Sequence, residues 1–333
     1  MTILVTGSAG HLGEALMRTL REAGRAARGL DILASPHTDI VGSIVDRAVA
    51  RRAMDGVRAV LHTATLHKPH VATHSRQDFV DTNITGTLNL LEEATAAGVD
   101  AFVYTSTTSV FGDAMAPPPG QPAAWVTEDV VPAPKNIYGV TKSAAEDLCQ
   151  LFHRNQGMAV IVLRTSRFFP EADDNPATRD AYADANAKAN EFLYRRVAIE
   201  DVVSAHLLAI ERAPAIRFGK YIVSATSPFQ REDLAALREH AAEVVARHVP
   251  AYRAEYARRG WRMFPDIDRV YVNERARTEL GWRPATDFAA IIARLAAGED
   301  LRGPLARAIG AKGYHAQSFA DGPYPVEQAG KIR

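Results

Sequence analysis

The feature that most constrains the fold is a glycine-rich turn close to the start of the chain. Residues 6–13 read Thr-Gly-Ser-Ala-Gly-His-Leu-Gly, directly after an apolar run and before an amphipathic pattern over residues 12–23. Gly7 permits a tight turn, Gly10 lets a pyrophosphate approach the backbone, and Gly13 lets a helix pack on a sheet. The sequence predicts a strand, a turn and a helix whose first amides face an anion. A purely structural turn is the alternative.

Short β-branched runs alternate with longer helical patterns through about two thirds of the chain. This alternation is typical of parallel strands joined by crossover helices. We expect an α/β fold, a doubly wound parallel sheet of the Rossmann type. The predicted strands are residues 3–6, 26–31, 57–63, 101–106, 159–164 and 221–224, and the predicted helices are residues 12–23, 47–55, 78–97, 138–155 and 199–213.

Two stretches interrupt this alternation: one rich in Asp, Asn and Ala in the middle of the chain, and the mostly helical, proline-punctuated part that comes last. We expect a dinucleotide-binding domain over residues 1–166, with residues 197–226 returning to it. A smaller, mostly helical substrate domain is expected over residues 227–333, with residues 167–196 contributing. The tail at residues 321–333 is predicted to be extended or mobile.

Charge and composition exclude several classes of protein. The chain carries 39 Lys and Arg against 39 Asp and Glu, so no overall positive field is present to hold a nucleic acid. No segment reaches the roughly 18 uninterrupted apolar residues of a membrane span, so no membrane contact is expected. The single cysteine, Cys149, falls in an apolar helical pattern and is predicted to be a buried small hydrophobe. Without a signal-like leader, the protein is expected to be cytoplasmic.

The second predicted strand ends in an acidic residue, Asp31. A carboxylate at this point accepts hydrogen bonds from an adenosine ribose and repels a 2′-phosphate. Ile32 follows it instead of an arginine, so the sequence favours NAD over NADP. Arg28 is the residue that would reverse this preference.

Tyr138 and Lys142 stand four residues apart, hence on one face of a predicted helix. A neighbouring cation stabilises a phenolate and lowers the pKa of a tyrosine, which makes the tyrosine a usable base at neutral pH. Such a pair alone is weak evidence, but a hydroxyl-rich run, Ser-Thr-Thr-Ser at residues 106–109, follows the predicted strand at residues 101–106. Together they predict proton transfer beside the bound dinucleotide.

On these residues the chain resembles the extended short-chain dehydrogenase/reductase superfamily, specifically the NAD-dependent sugar epimerase/dehydratase group to which UDP-galactose 4-epimerase belongs. The likeness covers about residues 1–225. It rests on the glycine-rich turn, Asp31, the Asn-Ile-Thr-Gly-Thr-Leu-Asn-Leu-Leu-Glu run at residues 83–92, the Ser-Val-Phe-Gly run at residues 109–112, Tyr138 with Lys142, and Leu-Arg at residues 163–164.

The resemblance implies roles for individual residues. Thr107 would polarise the sugar oxygen, with Thr108 beside it, and Tyr138 would carry the proton. Lys142 would also bind the nicotinamide ribose, and Asn83 would support the active-site helices. The residues expected at the NAD site are Gly7, Ala9, Gly10, His11, Leu12, Gly13, Asp31, Ile32, Ser43, Ile44, His62, Thr63, Ala64, Thr65, His67, Asn83, Thr105, Ser106, Tyr138 and Lys142.

Departures from the family pattern bear mainly on the substrate. Ser43 replaces an acidic residue near the adenine, and Arg167 stands where family members usually have Asn. If Arg167 and Arg196 face the pocket, they could hold a carboxylate or phosphate on a compact sugar. A uronic acid is then an alternative to a nucleotide sugar as the predicted substrate. The alternative is an internal ion pair of Arg167 with Glu171 or Asp173.

The resemblance implies an NAD-dependent enzyme that acts at a carbinol carbon of a small-molecule sugar. Epimerisation through a transient keto intermediate is the leading interpretation. Net dehydrogenation of a sugar or uronic acid would use the same residues. A non-catalytic NAD-sensing regulator, which has no need of the Tyr/Lys pair, is the hypothesis from another class.

Two further expectations concern metals and assembly. Four histidines fall between residues 62 and 74, but Pro69 breaks the helix that would group them, so no metal site is expected. We expect His67 to line the nicotinamide end of the cleft instead. The predicted helices at residues 78–97 and 138–155 are more apolar than one sheet face needs, and related enzymes pair such helices in a two-fold bundle. A homodimer is therefore expected.

Overall fold

The computed structural model describes residues 1–313 and Phe319. Its strands are β1 (Thr2–Thr6), β2 (Ala27–Asp31), β3 (Ile40–Val41), β4 (Val57–His62), β5 (Ala101–Thr107), β6 (Ala124–Val126), β7 (Val160–Thr165), β8 (Phe218–Val223) and β9 (Arg269–Tyr271). Its α-helices are α1 (His11–Glu22), α2 (Arg47–Met54), α3 (Arg76–Phe79), α4 (Gly86–Ala96), α5 (Ile137–Gln156), α6 (Pro176–Ala181), α7 (Asp184–Glu191), α8 (Ile199–Ile216), α9 (Ala241–His248), α10 (Tyr252–Arg259), α11 (Phe288–Ala296) and α12 (Pro304–Ile309).

Seven strands form one parallel sheet in the order β3-β2-β1-β4-β5-β7-β8. The chain moves outward in one direction from β1 to β3 and in the other from β4 to β8, so the strand order reverses between β1 and β4. The carboxyl ends of these two strands open a crevice, which is where open α/β sheets bind ligands. The predicted doubly wound fold is confirmed.

Apolar helix faces cover both sides of the sheet. On one side, Leu16 of α1 and Val202 of α8 belong to a core shared with the strands. On the other, Val49 of α2, Leu90 of α4 and Phe152 of α5 form a second core. Because helices cover both faces of the sheet, the central strands are apolar along most of their length. These apolar runs are the pattern that predicted the strands from the sequence.

Several local features differ from the sequence prediction. The helix predicted over residues 78–97 is interrupted, since α3 runs into a π-helical turn at Val80–Thr85 before α4 begins. Strand β3 was not predicted, and neither was the parallel pair of β6 and β9, in which Trp125 lies opposite Val270. Strands of two or three residues are too short to show an alternating pattern.

The chain after β8 is mostly helical, and its core, which includes Phe229, Tyr256 and Phe288, also contains apolar residues of the stretch 187–194. It is attached to α8 through Trp282, whose indole nitrogen donates to the Ser204 hydroxyl at 2.9 Å. The proposed boundary between the two domains stays a prediction. The tail at residues 321–333 lies outside the described residues. Among those described, no helix is long and apolar enough to cross a membrane.

We predict that the buried Asp201 of α8 stabilises the attachment of this C-terminal part. Its two carboxylate oxygens accept the backbone N–H groups of Ala285 at 2.7 Å and Thr286 at 3.0 Å. Asp201→Ala leaves the buried N–H of Thr286 and the partly buried N–H of Ala285 without this acceptor, so the free energy of unfolding in urea should fall by about 1–3 kcal/mol. The control is Asp266→Ala, which removes an exposed partner of Arg238 and should cost less than about 1 kcal/mol. Equal losses in the two variants would contradict the prediction.

Candidate active site

The glycine-rich turn joins β1 to α1 in a conformation that only small residues allow. Gly7 has a positive φ of 71° and its N–H donates to the Leu30 carbonyl at 2.8 Å. A Cβ on Gly13 would lie 1.9 Å from the Gly7 carbonyl oxygen, so helix and turn pack in direct contact. The helix therefore starts at His11 with its first amides directed at the crevice, as an anion site requires.

Asp31 lies at the end of β2 beside this turn. Its carboxylate accepts the N–H of Ala9 and the N–H of Leu33, both at 2.9 Å. Arg28, the residue that could have met a 2′-phosphate, donates instead to the carbonyl groups of Ala53 and Asp55. The adenosine end of the crevice therefore carries a fixed carboxylate, and the guanidinium of Arg28 is bound elsewhere, which fits NAD rather than NADP.

A cavity of about 430 Å³ extends from Asp31 along the glycine-rich turn to Tyr138. Most residues predicted for the cofactor lie on its wall. Those are Gly7, Ala9, Gly10, His11, Leu12, Gly13, Asp31, Ile32, Ser43, Ile44, Thr63, Ala64, Thr65, His67, Thr105, Ser106, Tyr138 and Lys142.

His62 does not lie on the cavity wall, contrary to the expectation that it would line the cofactor. It is the last residue of β4 and its ring is buried, with Nδ1 bonded to the Thr6 hydroxyl at 2.8 Å and Nε2 bonded to the Thr87 hydroxyl at 2.9 Å. Burial, together with the charge of Lys142, holds the His62 pKa well below its usual range. A neutral His62 thus links β1 to α4 behind the cleft.

Asn83 also lies behind the wall, in the supporting position that the resemblance implied. Its side-chain oxygen accepts the Leu66 N–H at 2.8 Å and the Thr65 hydroxyl at 2.9 Å. Its amide nitrogen donates to the Leu66 carbonyl and to the Thr141 hydroxyl, each at 3.0 Å. Asn83 therefore connects the loop after β4 to α5.

Tyr138 and Lys142 occupy the first turns of α5, which begins at an Asn136 cap that accepts the Gly139 N–H. Both side chains are buried, and the Lys142 ammonium donates to the Thr105 carbonyl at 2.6 Å. Burial raises the pKa of Tyr138, although its hydrogen bond with Thr107 opposes the shift. Burial lowers the pKa of Lys142 to about 7, and Glu146 opposes that shift. The phenol therefore needs a neighbouring cation to act as a base near neutral pH.

The two threonines at the end of β5 have different surroundings. The Thr107 hydroxyl is hydrogen-bonded with Tyr138 and also accepts the Ser109 N–H at 3.1 Å. Thr108 begins a short 3₁₀ turn and is buried away from the cavity wall. Neither threonine lies on the cavity wall, and Thr107 is linked to the site through its hydrogen bond with Tyr138.

Arg167 and Arg196, predicted as substrate contacts, do not line the cleft and are bound to carboxylates. The Arg167 guanidinium lies 2.7 Å from Asp173 and 3.4 Å from Glu191. Arg196 bonds Glu191 at 2.7 Å and the Phe169 carbonyl at 3.0 Å. The alternative of an internal ion pair with Asp173 is what the structure shows, and Glu191 is a partner that the sequence analysis did not consider.

A buried carboxylate that the sequence analysis missed lies one turn beyond Lys142 on α5. Glu146 accepts the Ser106 hydroxyl at 2.6 Å and a two-pronged bond from Arg164, and Lys220 lies 3.3 Å away. The Ser106 hydroxyl is therefore already bonded to a carboxylate, although Ser106 lies on the cavity wall. The four-residue spacing after Lys142 was the signal that could have identified it.

Aromatic rings form the end of the cavity next to Tyr138. The His67 ring centroid lies 5.0 Å from that of Tyr138 and 4.7 Å from that of Phe169, which packs on Phe168. Burial holds the His67 pKa well below its usual range, so the ring is neutral at pH 7. His67 lies where it was expected, whereas the two phenylalanines were not predicted. Within residues 1–313, no three His, Cys, Asp or Glu side chains are grouped as a metal site would need.

We predict that Glu146 is the costliest of these residues to neutralise. Glu146→Gln keeps the shape of the side chain but leaves Arg164 and Lys220 without their shared counter-charge, so the free energy of unfolding should fall by about 3–5 kcal/mol. Asp147→Asn is the matched control, because Asp147 is the next residue of α5 and is 75% exposed. Urea denaturation of both variants would test this, and a loss below about 1 kcal/mol in Glu146→Gln would refute it.

Comparison with known proteins places this site in a family. The family model described as "NAD dependent epimerase/dehydratase family" matches residues 3–223. Over 332 aligned residues the chain is 27% identical to the UDP-glucose 4-epimerase of Rhizobium meliloti (strain 1021), covering 87% of this chain and 94% of that protein. Over 169 residues it is 32% identical to the uncharacterized protein y4nG of Sinorhizobium fredii (strain NBRC 101917 / NGR234), and there it spans only 40% of that protein's length.

A solved structure supports the same family assignment. A short-chain dehydrogenase/reductase superfamily protein from Agrobacterium tumefaciens with bound NAD has a TM-score of 0.64 and 25% identity, covering 89% of this chain and 96% of that chain. The glycine-rich turn and the Asp31 carboxylate fit such a dinucleotide. The chain therefore belongs to the NAD dependent epimerase/dehydratase family, as an NAD-dependent enzyme of the extended short-chain dehydrogenase/reductase type.

Proposed function

We propose that the protein epimerises a sugar or nucleotide sugar at a carbinol carbon, through a transient ketone. The observation that carries this proposal is that Tyr138 and Lys142 lie on the wall of the same cavity as the glycine-rich turn, and that the Thr107 hydroxyl is hydrogen-bonded with Tyr138. A proton carrier, a cation and a fixed hydroxyl are the groups needed to oxidise and reduce an alcohol reversibly.

The side chains would divide the work as follows. The Tyr138 oxygen takes the proton of the sugar hydroxyl and returns it, Thr107 holds the same sugar oxygen, and Lys142 stabilises the phenolate. NAD, when bound, accepts a hydride from the reacting carbon and gives it back. The residues that would hold NAD are those of the cavity wall, with Asp31 at the ribose and Lys142 at the nicotinamide end. The chain after β8 would contribute to substrate binding.

Net dehydrogenation of a sugar or uronic acid stays the alternative, because it needs the same side chains. An NAD-sensing regulator would not need them. Recognition of a uronic acid by Arg167 gains no support from its surroundings, since the guanidinium would have to leave Asp173 and Glu191 first. We also propose a cytoplasmic location on the grounds of the sequence.

The proposal is tested by incubating the purified protein with NAD and a panel of UDP-sugars, free sugars and uronic acids. We expect isomers to interconvert, followed by NMR, without accumulation of NADH absorbance. Tyr138→Phe keeps the ring and removes the proton carrier, so turnover should fall about 10²- to 10⁴-fold.

Tyr252→Phe is the control for that variant, since Tyr252 lies on α10 and its hydroxyl bonds the Ala242 carbonyl away from the cleft. Accumulation of NADH in proportion to the substrate consumed would show that the protein carries out net dehydrogenation and not epimerisation. Undiminished turnover in Tyr138→Phe would remove the catalytic assignment altogether.

We further propose a homodimer formed through α4 and α5. Val140 is 47% exposed and Leu151 is 37% exposed, and the two lie about three turns apart on one face of α5. Leu90, Leu91 and Phe152 are apolar residues of the same two helices, but they are buried in the core.

Light scattering at micromolar concentration should therefore give twice the mass of the 36.2 kDa chain. Val140→Glu should give a monomer, because a charge would be buried in the interface. Val131→Glu, at a residue that is 77% exposed outside α5, is the control and should stay dimeric. A monomeric wild-type protein would overturn the proposal.

A further inference from the structure

Residues that follow α12 lie across the start of α1, almost three hundred positions away in the sequence. The backbone N–H of Lys312 donates to Glu171 at 3.1 Å, and the N–H of Gly313 donates to the same oxygen at 3.2 Å. The Lys312 ammonium lies 2.5 Å from the carboxylate of Glu14 on α1. Both the backbone and the side chain of Lys312 are thus fixed to other parts of the chain.

Glu171 joins these residues to the glycine-rich turn. It is buried, and its carboxylate lies 2.8 Å from Nε2 of His11, the first residue of α1. Lys312 and Gly313 line the same cavity as Gly10 and His11. Three segments therefore meet beside the helix terminus where a pyrophosphate would bind: the start of α1, the segment after β7, and residues 312–313.

We propose that residues 312–313, bound to Glu14 and Glu171, form a clasp that retains NAD in the cleft from one turnover to the next. The proposal rests on the proposed function, in which the hydride taken from the sugar must return to it. Because Lys312 and Gly313 form part of the cavity wall beside Gly10 and His11, they border the place where the pyrophosphate would bind. Moving these two residues away from α1 would break the Lys312–Glu14 ion pair and the bonds of both backbone N–H groups to Glu171.

The solvent exposure of the Lys312–Glu14 ion pair determines how much its loss should speed dissociation of the dinucleotide. The Lys312 side chain is 25% exposed and that of Glu14 is 10% exposed, so solvent screens the pair in part. We expect Lys312→Met to speed dissociation of the dinucleotide about three- to tenfold. Lys312→Arg keeps the cation and should restore most of the retention. Raised salt should speed release from the wild-type protein more than from Lys312→Met, because salt screens only the pair that is present.

The experiment uses the full chain loaded with NADH and mixed rapidly with excess NAD, while loss of NADH fluorescence gives the dissociation rate. Arg253→Met is the control, since it removes an exposed ion pair with Glu243 on the surface of the C-terminal part. Thermal melting shows whether each variant is folded. Glu171→Gln provides a second variant, because it weakens the acceptor of both backbone bonds and should also speed release.

An unchanged dissociation rate in Lys312→Met and Glu171→Gln would overturn the clasp. Slower release or tighter binding would also overturn it, since the segment would then compete with the dinucleotide. Failure of the proposed function looks different: NADH release would depend on Lys312 as expected, but no sugar of the panel would isomerise. If sugars isomerise but the rate of NADH release does not depend on Lys312, the clasp is refuted and the proposed function is not.

Discussion

The buried carboxylate of Glu146 is the interaction on which the geometry of the candidate site depends. It joins helix α5 to Ser106 of β5 and Arg164 of β7, so a helix and two adjacent strands meet at one charge. A buried charge is tolerated only while its partners stay in place, and losing one partner costs several kcal/mol. The end of β5, which carries Thr107, is therefore fixed relative to Tyr138 before any ligand binds.

How far the sequence could predict this site depends on whether the signal was local. The glycine-rich turn and the Tyr138–Lys142 pair are specified by spacings of a few residues, and both lie where they were expected. The resemblance implied that His62 lines the cofactor, but the face it takes depends on its pairing with Thr6 and Thr87, which no local pattern records. The pairing of β6 with β9 was not predicted because strands of three residues are too short to show an alternating pattern.

The arginines near the substrate end show a second limit of sequence reasoning. Arg167 lies in the segment after β7 and Glu191 ends α7, 24 residues later, yet Glu191 contacts Arg167, Arg195 and Arg196. An unpaired arginine and a paired one look identical in a sequence, while their capacity to bind a substrate anion differs greatly. Since carboxylates already hold these guanidinium groups, the cleft beside Tyr138 is bounded mainly by aromatic rings and a neutral histidine.

The contact between α1 and the residues after α12 has a consequence for biosynthesis. The glycine-rich turn and Asp31 are made early, but Lys312 and Gly313, which complete the same cavity, are among the last of the described residues to leave the ribosome. During most of translation the cleft is therefore open on the side that faces Glu14 and Glu171. A nascent chain can therefore complete the seven-stranded sheet, whose last strand ends at Val223, well before it makes the two residues that complete the cavity wall beside Glu14 and Glu171.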